Sequence, residues 1–356
     1  MQKHIKGLIL AAGLGTRLAP FTDLIPKPLF PVLNRPIIVH VIERLRACGI
    51  TEVGINVHHL ADDIITFLGD GSDHSVRITW FKEDELLGTG GILKHCADFW
   101  TDCDLLVTAG DMLSTMDLAS LVDFHRGHDG DATVATFEHA WPLNEWGGDV
   151  AVLEPDSTTV IEYQSKPRSD ARSRFGCTGT WVFSPTVQDA MPESRQFDLN
   201  EHLLPRLVGG RLHAYADVYE FADMGSPEVY LVGTGLAMRG ELGVVPDEPA
   251  TREGLYVNPT ADVPSSVRIT GPVLIGEGVR IGELCEIVGP TVVGGGCVVG
   301  DEVSLRNSVL LPGTYVPANT VVVKGLLGNA ATSPMAIRRH CLRDHRSTSY
   351  DGSNTA

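Results

Sequence analysis

A short apolar run that starts at Ile5 leads into Leu10-Ala11-Ala12-Gly13-Leu14-Gly15-Thr16-Arg17-Leu18, and Pro26-Lys27-Pro28 follows it. Small residues just after a strand let backbone N–H groups approach an anion closely, and the basic side chains can neutralise a phosphate chain. We therefore interpret this segment as a phosphate-binding loop. It is not a Walker A loop, because no Gly-Lys-Ser/Thr closes it, and the third glycine of a dinucleotide fingerprint is missing.

Short β-branched runs alternate with helical patterns from residue 4 to about residue 235. This alternation is typical of a parallel sheet covered by helices. We predict an α/β fold with a Rossmann-like mixed, mainly parallel sheet, forming a catalytic domain over residues 1–240. Ser226 and Pro227 are expected to begin its last helix, which ends near residue 238. The predicted strands are 5–11, 53–57, 76–81, 104–109 and 132–137.

The period changes after residue 240, where aliphatic residues recur every six positions. Such a repeat is typical of a parallel β-helix of hexapeptides, whereas a β-sandwich would alternate with period two. We predict a β-helix over 241–328 and a mobile C-terminal tail over 329–356. The main series is Val257, Val263, Ile269, Ile275, Ile281, Ile287, Val293, Val299, Leu305 and Leu311, with Val323 back in phase; a second series is Val267, Val279, Cys285, Cys297, Val303, Val309 and Val321.

The composition excludes several classes of protein. Twenty-eight Lys and Arg residues against 45 Asp and Glu residues give a net charge of −17, which argues against a surface for nucleic acid or anionic membrane. No apolar run approaches the roughly 20 residues that cross a bilayer, and no signal-peptide cleavage site is present. The seven cysteines form no C-x-x-C pair, and their odd number fits a reduced cytoplasm. We expect a cytoplasmic protein.

The loop motif resembles that of the sugar-1-phosphate nucleotidyltransferases, in which G-x-G-T-R-L-x-P is followed by P-K-P and P-V. The resemblance extends over residues 4 to about 325. It is closest to mannose and manno-heptose 1-phosphate guanylyltransferases, a branch with a C-terminal left-handed hexapeptide β-helix. It implies that a sugar-phosphate oxygen attacks the α-phosphorus of a nucleoside triphosphate and expels pyrophosphate, without a covalent enzyme intermediate.

The resemblance also implies roles for particular residues. Arg17 is expected to contact the triphosphate and the leaving pyrophosphate, and Lys27 is expected to lie near the α-phosphate; both are predicted catalytic residues. The remaining residues expected to bind the nucleotide are Leu10, Ala11, Ala12, Gly13, Gly15, Thr16, Glu85, Gly88 and Thr89.

Two carboxylates are expected to hold Mg²⁺. Asp111 follows the predicted strand 104–109, at the sheet edge where α/β proteins place their ligands. Asp223 lies in a segment, residues 221–227, that resembles the family's aromatic-x-D-x-G-[TS]-P pattern. Mg²⁺ commonly takes only one or two carboxylates besides phosphates and water, so these two residues are enough. Asp223 could instead cap a turn.

Selection of the base is expected in residues 83–91, which resemble the E-x-x-G-T-[AG]-G segment of the guanylyltransferases. An ionised carboxylate only accepts hydrogen bonds. Guanine offers its N1–H and 2-amino group together, whereas uracil and thymine offer one N–H between two oxygens that would repel a carboxylate. We predict GTP as the nucleotide and Glu85 as the residue that reads the base. Glu83 or Asp84 could have this role instead.

The sugar side departs from the family pattern at two positions. Residues 163–167 stand where the family has F-x-E-K-P, so Lys166 should bind the sugar phosphate, while Ser165 replaces a glutamate that holds sugar hydroxyls. Cys177 occupies the place of an asparagine. Residues 146–149 could compensate, or the acceptor could be a heptose or a valienol-type cyclitol 1-phosphate instead of a common hexose. The expected substrate-binding residues are Gly110, Gly148, Ser165, Lys166, Cys177 and Thr178.

Other functions compete with this interpretation. Acyl transfer by the β-helix would need a histidine base, but no histidine lies between His213 and His340. A non-catalytic regulatory paralogue would have lost the charged residues that this chain keeps. An ordinary mannose or manno-heptose 1-phosphate guanylyltransferase is the main alternative to an enzyme for a pseudo-sugar. By resemblance, the β-helix is expected to join subunits into a homo-oligomer of unspecified size.

Overall fold

The computed structural model describes residues 4–138, 148–167, 171–217 and 219–328. The tail predicted over 329–356 lies outside the described residues, and so do Trp146 and Gly147 on the sugar side. None of the helices within the described ranges is long and apolar enough to cross a membrane.

Strands and helices alternate through the first 240 residues. The helices are α1 (Ile37–Ala47), α2 (Ala61–Leu68), α3 (Gly88–His95), α4 (Ala97–Trp100), α5 (Leu118–Arg126) and α6 (Pro227–Met238). The strands are β1 (Ile5–Leu10), β2 (Pro31–Val32), β3 (Arg35–Pro36), β4 (Glu52–Val57), β5 (Arg77–Lys82), β6 (Asp104–Ala109), β7 (Met112–Ser114), β8 (Ala132–Glu138), β9 (Val150–Leu153), β10 (Val160–Gln164), β11 (Phe175–Phe183), β12 (Leu212–Ala216) and β13 (Phe221–Asp223).

Nine strands form a mixed central sheet with the order β10-β9-β11-β6-β1-β4-β5, and β8 pairs with β11 and β12. Strand β1 lies between β4 and β6 and is parallel to both, with Leu10 opposite Asn56 and Ala109. Strand β11 runs antiparallel to β6, β8 and β9. The predicted Rossmann-like mixed sheet is thus confirmed. Because α/β sheets bind ligands beyond the carboxyl ends of their parallel strands, the residues after β1, β4 and β6 are the candidates for the site.

Apolar helix faces cover both sides of this sheet. Leu8 and Ile9 are both fully buried but belong to different clusters, since successive residues of a strand point to opposite faces. Ile42 of α1 packs in the cluster of Ile9, and Trp100 of α4 packs in the cluster of Leu8. Each such side chain contributes about 1.5–3 kcal/mol through burial, which fixes the strands that carry the site.

The chain divides into two compact units that are not contiguous in sequence. Among the described residues, the first unit comprises 4–15, 26–30 and 37–221, and the second comprises 16–25, 31–36 and 222–328. The second unit therefore contains α6, the C-terminal repeats and two short segments of the N-terminal motif. Arg17 belongs to the second unit, whereas Lys27 belongs to the first. The boundary at residue 240 remains a prediction.

Residues 250–328, here called the repeat region, form short strands in three sheets that are parallel except at the edge strand β14. Ile269 pairs with Ile287, and Ile287 pairs with Leu305, so equivalent residues recur every 18 positions. This arrangement is compatible with the predicted β-helix. The strands are β14 (Ala250–Arg252), β15 (Leu255–Val257), β16 (Arg268–Thr270), β17 (Val273–Ile275), β18 (Arg280–Ile281), β19 (Glu286–Val288), β20 (Thr291–Val293), β21 (Val298–Val299), β22 (Ser304–Arg306), β23 (Val309–Leu310), β24 (Tyr315–Val316), β25 (Val321–Val323) and β26 (Leu326–Leu327).

The six-residue phase shifts by one position near the end of the repeat region. Leu305 pairs with Val322, a spacing of 17 instead of 18. Val322 is 2% exposed, whereas Val321 and Val323 are 58% and 43% exposed. The shift is already present where Val293 pairs with Leu310 and not with Leu311. The predictions that Leu311 continues the main series, that Val323 returns to the inward phase and that Val321 continues the second series are therefore wrong. A turn shortened by one residue moves the later side chains by one position, and neighbouring strand residues face opposite sides of a sheet.

Substitution of these valines tests the shifted phase. Val322→Ala should lower the free energy of unfolding by about 1.5–3 kcal/mol, because it removes two buried methyl groups and leaves a cavity. Val323→Ala is the matched control and should change stability by no more than about 0.5 kcal/mol. Urea unfolding followed by circular dichroism measures both values. An equal loss in the two variants would contradict the shift.

Candidate active site

The predicted phosphate loop follows β1 directly. Ala11 and Ala12 are buried, and the backbone N–H of Ala11 donates a hydrogen bond to Asn56 Oδ1 at 2.9 Å. Gly15 has a φ of 66°, in the left-handed region that favours glycine. The chain then makes a single 3₁₀ turn over Thr16–Leu18. The loop conformation therefore comes from its small residues and from an anchor on β4.

Asn56 connects the loop to the segment predicted to select the base. Its Nδ2 donates to Glu83 Oε1 at 2.7 Å, and the backbone N–H of Leu87 donates to Glu83 Oε2 at 2.8 Å. Asn56 and Glu83 are 4% and 5% exposed. Both carboxylate oxygens of Glu83 are thus engaged inside the chain. Asn56 was not among the predicted site residues, although a lone amide in the apolar strand β4 was a signal for a buried polar contact.

The glycines of the base segment are explained by packing against Phe197. The N–H groups of Gly90 and Gly91 both donate to Phe197 O at 3.0 Å. A Cβ atom on Gly88, whose φ is 78°, would lie 2.5 Å from the same oxygen. Thr89 Oγ1 donates to Asp198 Oδ2 at 2.8 Å. These contacts hold Gly88 and Thr89 in place, while their contact with a nucleotide stays a prediction.

Glu85 and Asp84 are exposed, unlike Glu83. They line an open pocket of about 560 Å³ together with Lys82, His95 and Gln196. A carboxylate that faces solvent in a pocket can accept hydrogen bonds from a ligand without breaking contacts within the protein. The geometry therefore leaves Glu85 available for the predicted role.

Lys27 and Asp111 form an ion pair in the first unit. The side chains are 11% and 25% exposed, so the pair is partly shielded from solvent. Asp111 is brought there by Gly110, whose N–H donates to Leu10 O at 3.0 Å. A Cβ atom on Gly110 would lie only 3.0 Å from that oxygen, which explains the glycine. A predicted catalytic cation and a predicted metal ligand thus meet beside the end of β1.

Arg17 and Asp223 face each other in the second unit. Arg17 Nη2 lies 3.6 Å from Asp223 Oδ2, and the side chains are 66% and 48% exposed. Gly225 leaves room for this approach, since a Cβ atom there would lie 2.5 Å from Arg17 Nη2. Ser226 caps α6 as predicted, because its Oγ accepts a hydrogen bond from the N–H of Val229.

On the predicted sugar side, Ser165 and Lys166 meet at Asp149. Asp149 Oδ1 accepts hydrogen bonds from Ser165 Oγ at 3.0 Å and from the Lys166 backbone N–H at 3.2 Å. Burial raises the pKa of Asp149, against the effect of these hydrogen bonds. The Lys166 side chain is exposed, and its backbone φ is 44°. Asp149 is a candidate contact that the predicted set of substrate-binding residues did not contain.

The side chains of Cys177 and Thr178 point toward protein contacts. Cys177 is 7% exposed, burial raises the pKa of its thiol, and its backbone N–H donates to Asp149 O at 2.9 Å. Thr178 Oγ1 donates to Ala135 O at 3.2 Å. Gly148 is partly buried one residue before Asp149. Contacts of Gly148, Cys177 and Thr178 with an acceptor stay predictions.

The predicted metal ligands have donor atoms that suit Mg²⁺, because this ion prefers carboxylate oxygens. The carboxylates of Asp111 and Asp223 are partly exposed, and each faces a cationic side chain. In the ranges that the structure describes, no cluster of three or more His, Cys, Asp or Glu residues is arranged to hold a metal ion. Phosphate and water oxygens would therefore have to complete the coordination.

A glycine-containing loop beyond β1 and the Lys27–Asp111 pair beside it are features that suit an α/β transferase with a phosphate-containing substrate. The chain belongs to the nucleotidyl transferase family, whose model matches residues 6–234. It is therefore an enzyme that transfers a nucleotidyl group. The names of similar proteins specify sugar 1-phosphates.

The relatives differ in the nucleotide that their names specify. A UTP–glucose-1-phosphate uridylyltransferase of Synechocystis sp. is 33% identical over 294 residues, 78% of this chain and 75% of that one. A mannose-1-phosphate guanylyltransferase of Mycobacterium tuberculosis is 31% identical over 287 residues, 78% and 77% of the two chains. A Bacillus anthracis crystal structure named for glucose-1-phosphate thymidylyl transfer and solved with a sucrose has a TM-score of 0.60 at 25% identity, covering 70% of this chain and 98% of that one.

Gly13 provides a test of the phosphate loop. A Cβ atom at this position would meet no described protein atom within 4 Å, so no packing within the described chain requires the glycine. We expect Gly13→Ala to change the free energy of unfolding by no more than about 0.5 kcal/mol. Its kcat/KM should fall about a hundredfold, as expected when a phosphate is displaced by about 1 Å.

Thermal unfolding and pyrophosphate release measure the two effects. Gly90→Ala is the matched control: its Cβ atom would lie 2.3 Å from the Phe197 ring, so that variant should lose stability. Full activity of Gly13→Ala would show that no phosphate approaches this backbone.

Proposed function

We propose that this enzyme transfers a guanylyl group from GTP to a sugar or sugar-like 1-phosphate and releases pyrophosphate. The observation that carries the proposal is the Lys27–Asp111 pair beside the phosphate loop, at the carboxyl ends of β1 and β6. A cation and a carboxylate at this sheet edge suit a reaction whose main requirement is the placement and neutralisation of phosphate charge.

In the proposed reaction, an oxygen of the sugar phosphate forms a bond to the α-phosphorus, and the bond from that phosphorus to the oxygen bridging to the β-phosphate breaks. Lys27 stabilises the charge that develops on the α-phosphate, and Arg17 binds the leaving pyrophosphate. The N–H groups of residues 12–15 bind phosphate oxygens, while that of Ala11 donates to Asn56. Mg²⁺, held by Asp111 and Asp223, would supply further charge neutralisation when bound; this assignment rests on the sequence motifs.

The choice of GTP rests on the chemistry of Glu85. Its exposed carboxylate can accept hydrogen bonds from the N1–H and 2-amino groups of guanine, while Glu83 already accepts two hydrogen bonds within the chain. The Mycobacterium tuberculosis relative supports guanylyl transfer, and the Synechocystis relative keeps UTP as the alternative.

The acceptor we propose is a pseudo-sugar, such as a cyclitol 1-phosphate, that would place the enzyme in secondary metabolism. Support comes from Ser165 and Cys177, which replace two polar contacts of the family. Mannose 1-phosphate or manno-heptose 1-phosphate is the alternative, and the name of the guanylyltransferase relative favours it. Lys166 would bind the phosphate of either acceptor.

We also propose that the repeat region is a left-handed β-helix of hexapeptides and that it joins subunits into a homo-oligomer in the cytoplasm. The parallel pairing at intervals of 17 and 18 residues supports the β-helix. A regulatory paralogue without catalysis is disfavoured, because Arg17, Lys27, Asp111, Lys166 and Asp223 are all present.

The proposed function is tested by pyrophosphate release with Mg²⁺, crossing GTP, UTP, dTTP and ATP with hexose, heptose and cyclitol 1-phosphates. We expect the highest turnover with GTP and a cyclitol 1-phosphate. Equal turnover of UTP and GTP would contradict guanylyl transfer, and equal turnover of mannose 1-phosphate would remove the support for a pseudo-sugar.

Lys27→Ala should lower the rate of pyrophosphate release about ten- to a hundredfold, since a charged hydrogen bond contributes ~1.5–3 kcal/mol. Arg77→Ala, which breaks an exposed pair with Glu52, is the control and should have no effect.

Glu85→Gln tests the reader of the base. Loss of the carboxylate should lower the ratio of kcat/KM for GTP to that for UTP by at least about tenfold, the scale of one hydrogen bond to a charged group. Glu83→Gln is the control and should lower the melting temperature, because a new NH₂ group would face Asn56 Nδ2 or the Leu87 N–H. An unchanged ranking of bases in Glu85→Gln would assign the role to another residue of the segment.

A further inference from the structure

The segment that carries Arg17 has little regular structure of its own. The N–H of Ala19 donates to Thr16 O at 3.2 Å, and the N–H of Ile25 donates to Phe21 O at 3.0 Å, so the segment consists of short turns. The ion pair of Arg17 with Asp223 is long and exposed, and such pairs hold a side chain weakly. The placement of Arg17 therefore depends on what the rest of its segment packs against.

Phe21 packs the segment against the end of the repeat region. Its side chain is 3% exposed. A Cβ atom added to Gly328 would lie 3.2 Å from Phe21 Cδ1 and 2.8 Å from Leu311 Cδ1, so the ring lies against the backbone that follows β26. Leu18, the residue after Arg17, is also fully buried. One side of the Arg17 segment is thus fixed by apolar burial within the second unit.

The hairpin of β2 and β3 attaches to the same unit through polar contacts. Asn34 Nδ2 donates to Glu248 Oε1 at 2.9 Å, and Arg35 Nε lies 3.2 Å from Asp247 Oδ2. The Arg35 side chain is 22% exposed and that of Asp247 is 67% exposed, so only the guanidinium end of this pair is shielded from solvent. These contacts join residues that are more than 200 positions apart in the chain.

Two further contacts restrict the hairpin. The Tyr230 hydroxyl of α6 is fully buried and donates a hydrogen bond to Pro31 O. Gly276, between two strands of the repeat region, leaves space for the hairpin, because a Cβ atom there would lie 2.8 Å from Asn34 Nδ2. The hairpin therefore fits a surface made by α6 and the repeat region.

We propose that the repeat region, together with Asp247 and Glu248 just before it, is a positioning element for Arg17: through contacts with Phe21, Asn34 and Arg35 it holds the segments 16–25 and 31–36, and thereby fixes the guanidinium for contact with the triphosphate. The proposal rests on the proposed function in its assignment of Arg17 to the triphosphate. A cation contributes to phosphoryl transfer only when it is held close to its final position. Loosening either anchor, Phe21 or the pair Asn34 and Arg35, should therefore reduce catalysis, although neither anchor is assigned a contact with a substrate.

The first test measures backbone hydrogen exchange of residues 16–25 in the full-length protein. Asn34→Ala combined with Arg35→Ala should make this segment exchange at least about tenfold faster, since protection requires the contacts that hold the segment. Phe21→Ala should do the same. Arg306→Ala removes a comparable pair, with Glu286 on the outer face of the repeat region, and should leave the segment unchanged. Unchanged exchange in the anchor variants would overturn the proposal, whatever the activity of the enzyme.

The second test is a double-mutant cycle on kcat/KM for GTP. The Asn34→Ala/Arg35→Ala variant should lose about tenfold in the native background but less than about twofold in an Arg17→Ala background, since both changes act through one group. The KM for the sugar phosphate should not change, and Asn34→Gln/Arg35→Lys should restore part of the loss. Equal losses in both backgrounds would show a general structural effect and overturn the proposal. If the native enzyme releases no pyrophosphate with any substrate pair, the proposed function fails, while hydrogen exchange still decides whether the anchors hold the segment.

Discussion

The buried amide of Asn56 makes the interactions on which the predicted phosphate loop and the predicted base segment depend. It accepts a hydrogen bond from the Ala11 N–H and donates one to Glu83, whose second oxygen accepts from Leu87. None of these groups is well placed to exchange its partner for water, so each must be paired inside the chain. The loop after β1 and the base segment after β5 are consequently held by one network. The parallel register that sets Leu10 opposite Asn56 brings the amide to the loop.

The sequence predicted the parts of the site that belong to a local motif. The phosphate loop, Lys27 and Asp111 were each predicted from residue types at fixed spacing beside a strand, whereas the ion pair of Lys27 with Asp111, 84 positions apart, was not predicted. Asn56 was not among the predicted site residues, and Asp149 was named only within residues 146–149 that could compensate, because their importance comes from partners 27 and 16 positions away. Glu83 illustrates the same limit. The neighbouring sequence does not show whether an acidic residue in a polar segment is a buried hydrogen-bond acceptor or an exposed side chain.

The repeat region shows a different limit. The six-residue period was enough to predict parallel strands, since one inward side chain per strand is a strong pattern. The period could not locate a shortened turn, because Val321, Val322 and Val323 are chemically equivalent and any of them could face inward. The choice of Val322 depends on its pairing with Leu305, which is a property of the previous turn. Register, unlike period, is set by neighbours in space.

On the predicted acceptor side, the two residues that depart from the family pattern, Ser165 and Cys177, both donate hydrogen bonds to Asp149. Ser165 offers a hydroxyl where the family pattern has a glutamate carboxylate. This hydroxyl donates to Asp149, and the backbone N–H of Cys177 donates to the carbonyl of the same residue. A carboxylate is therefore kept near Lys166, yet it comes from position 149 and not from position 165. Burial raises the pKa of this Asp149 carboxyl, against the effect of the hydrogen bonds from Ser165 and Lys166. Under the proposed function, an acceptor bound beside Lys166 would therefore meet a carboxylate from position 149 in place of one from position 165.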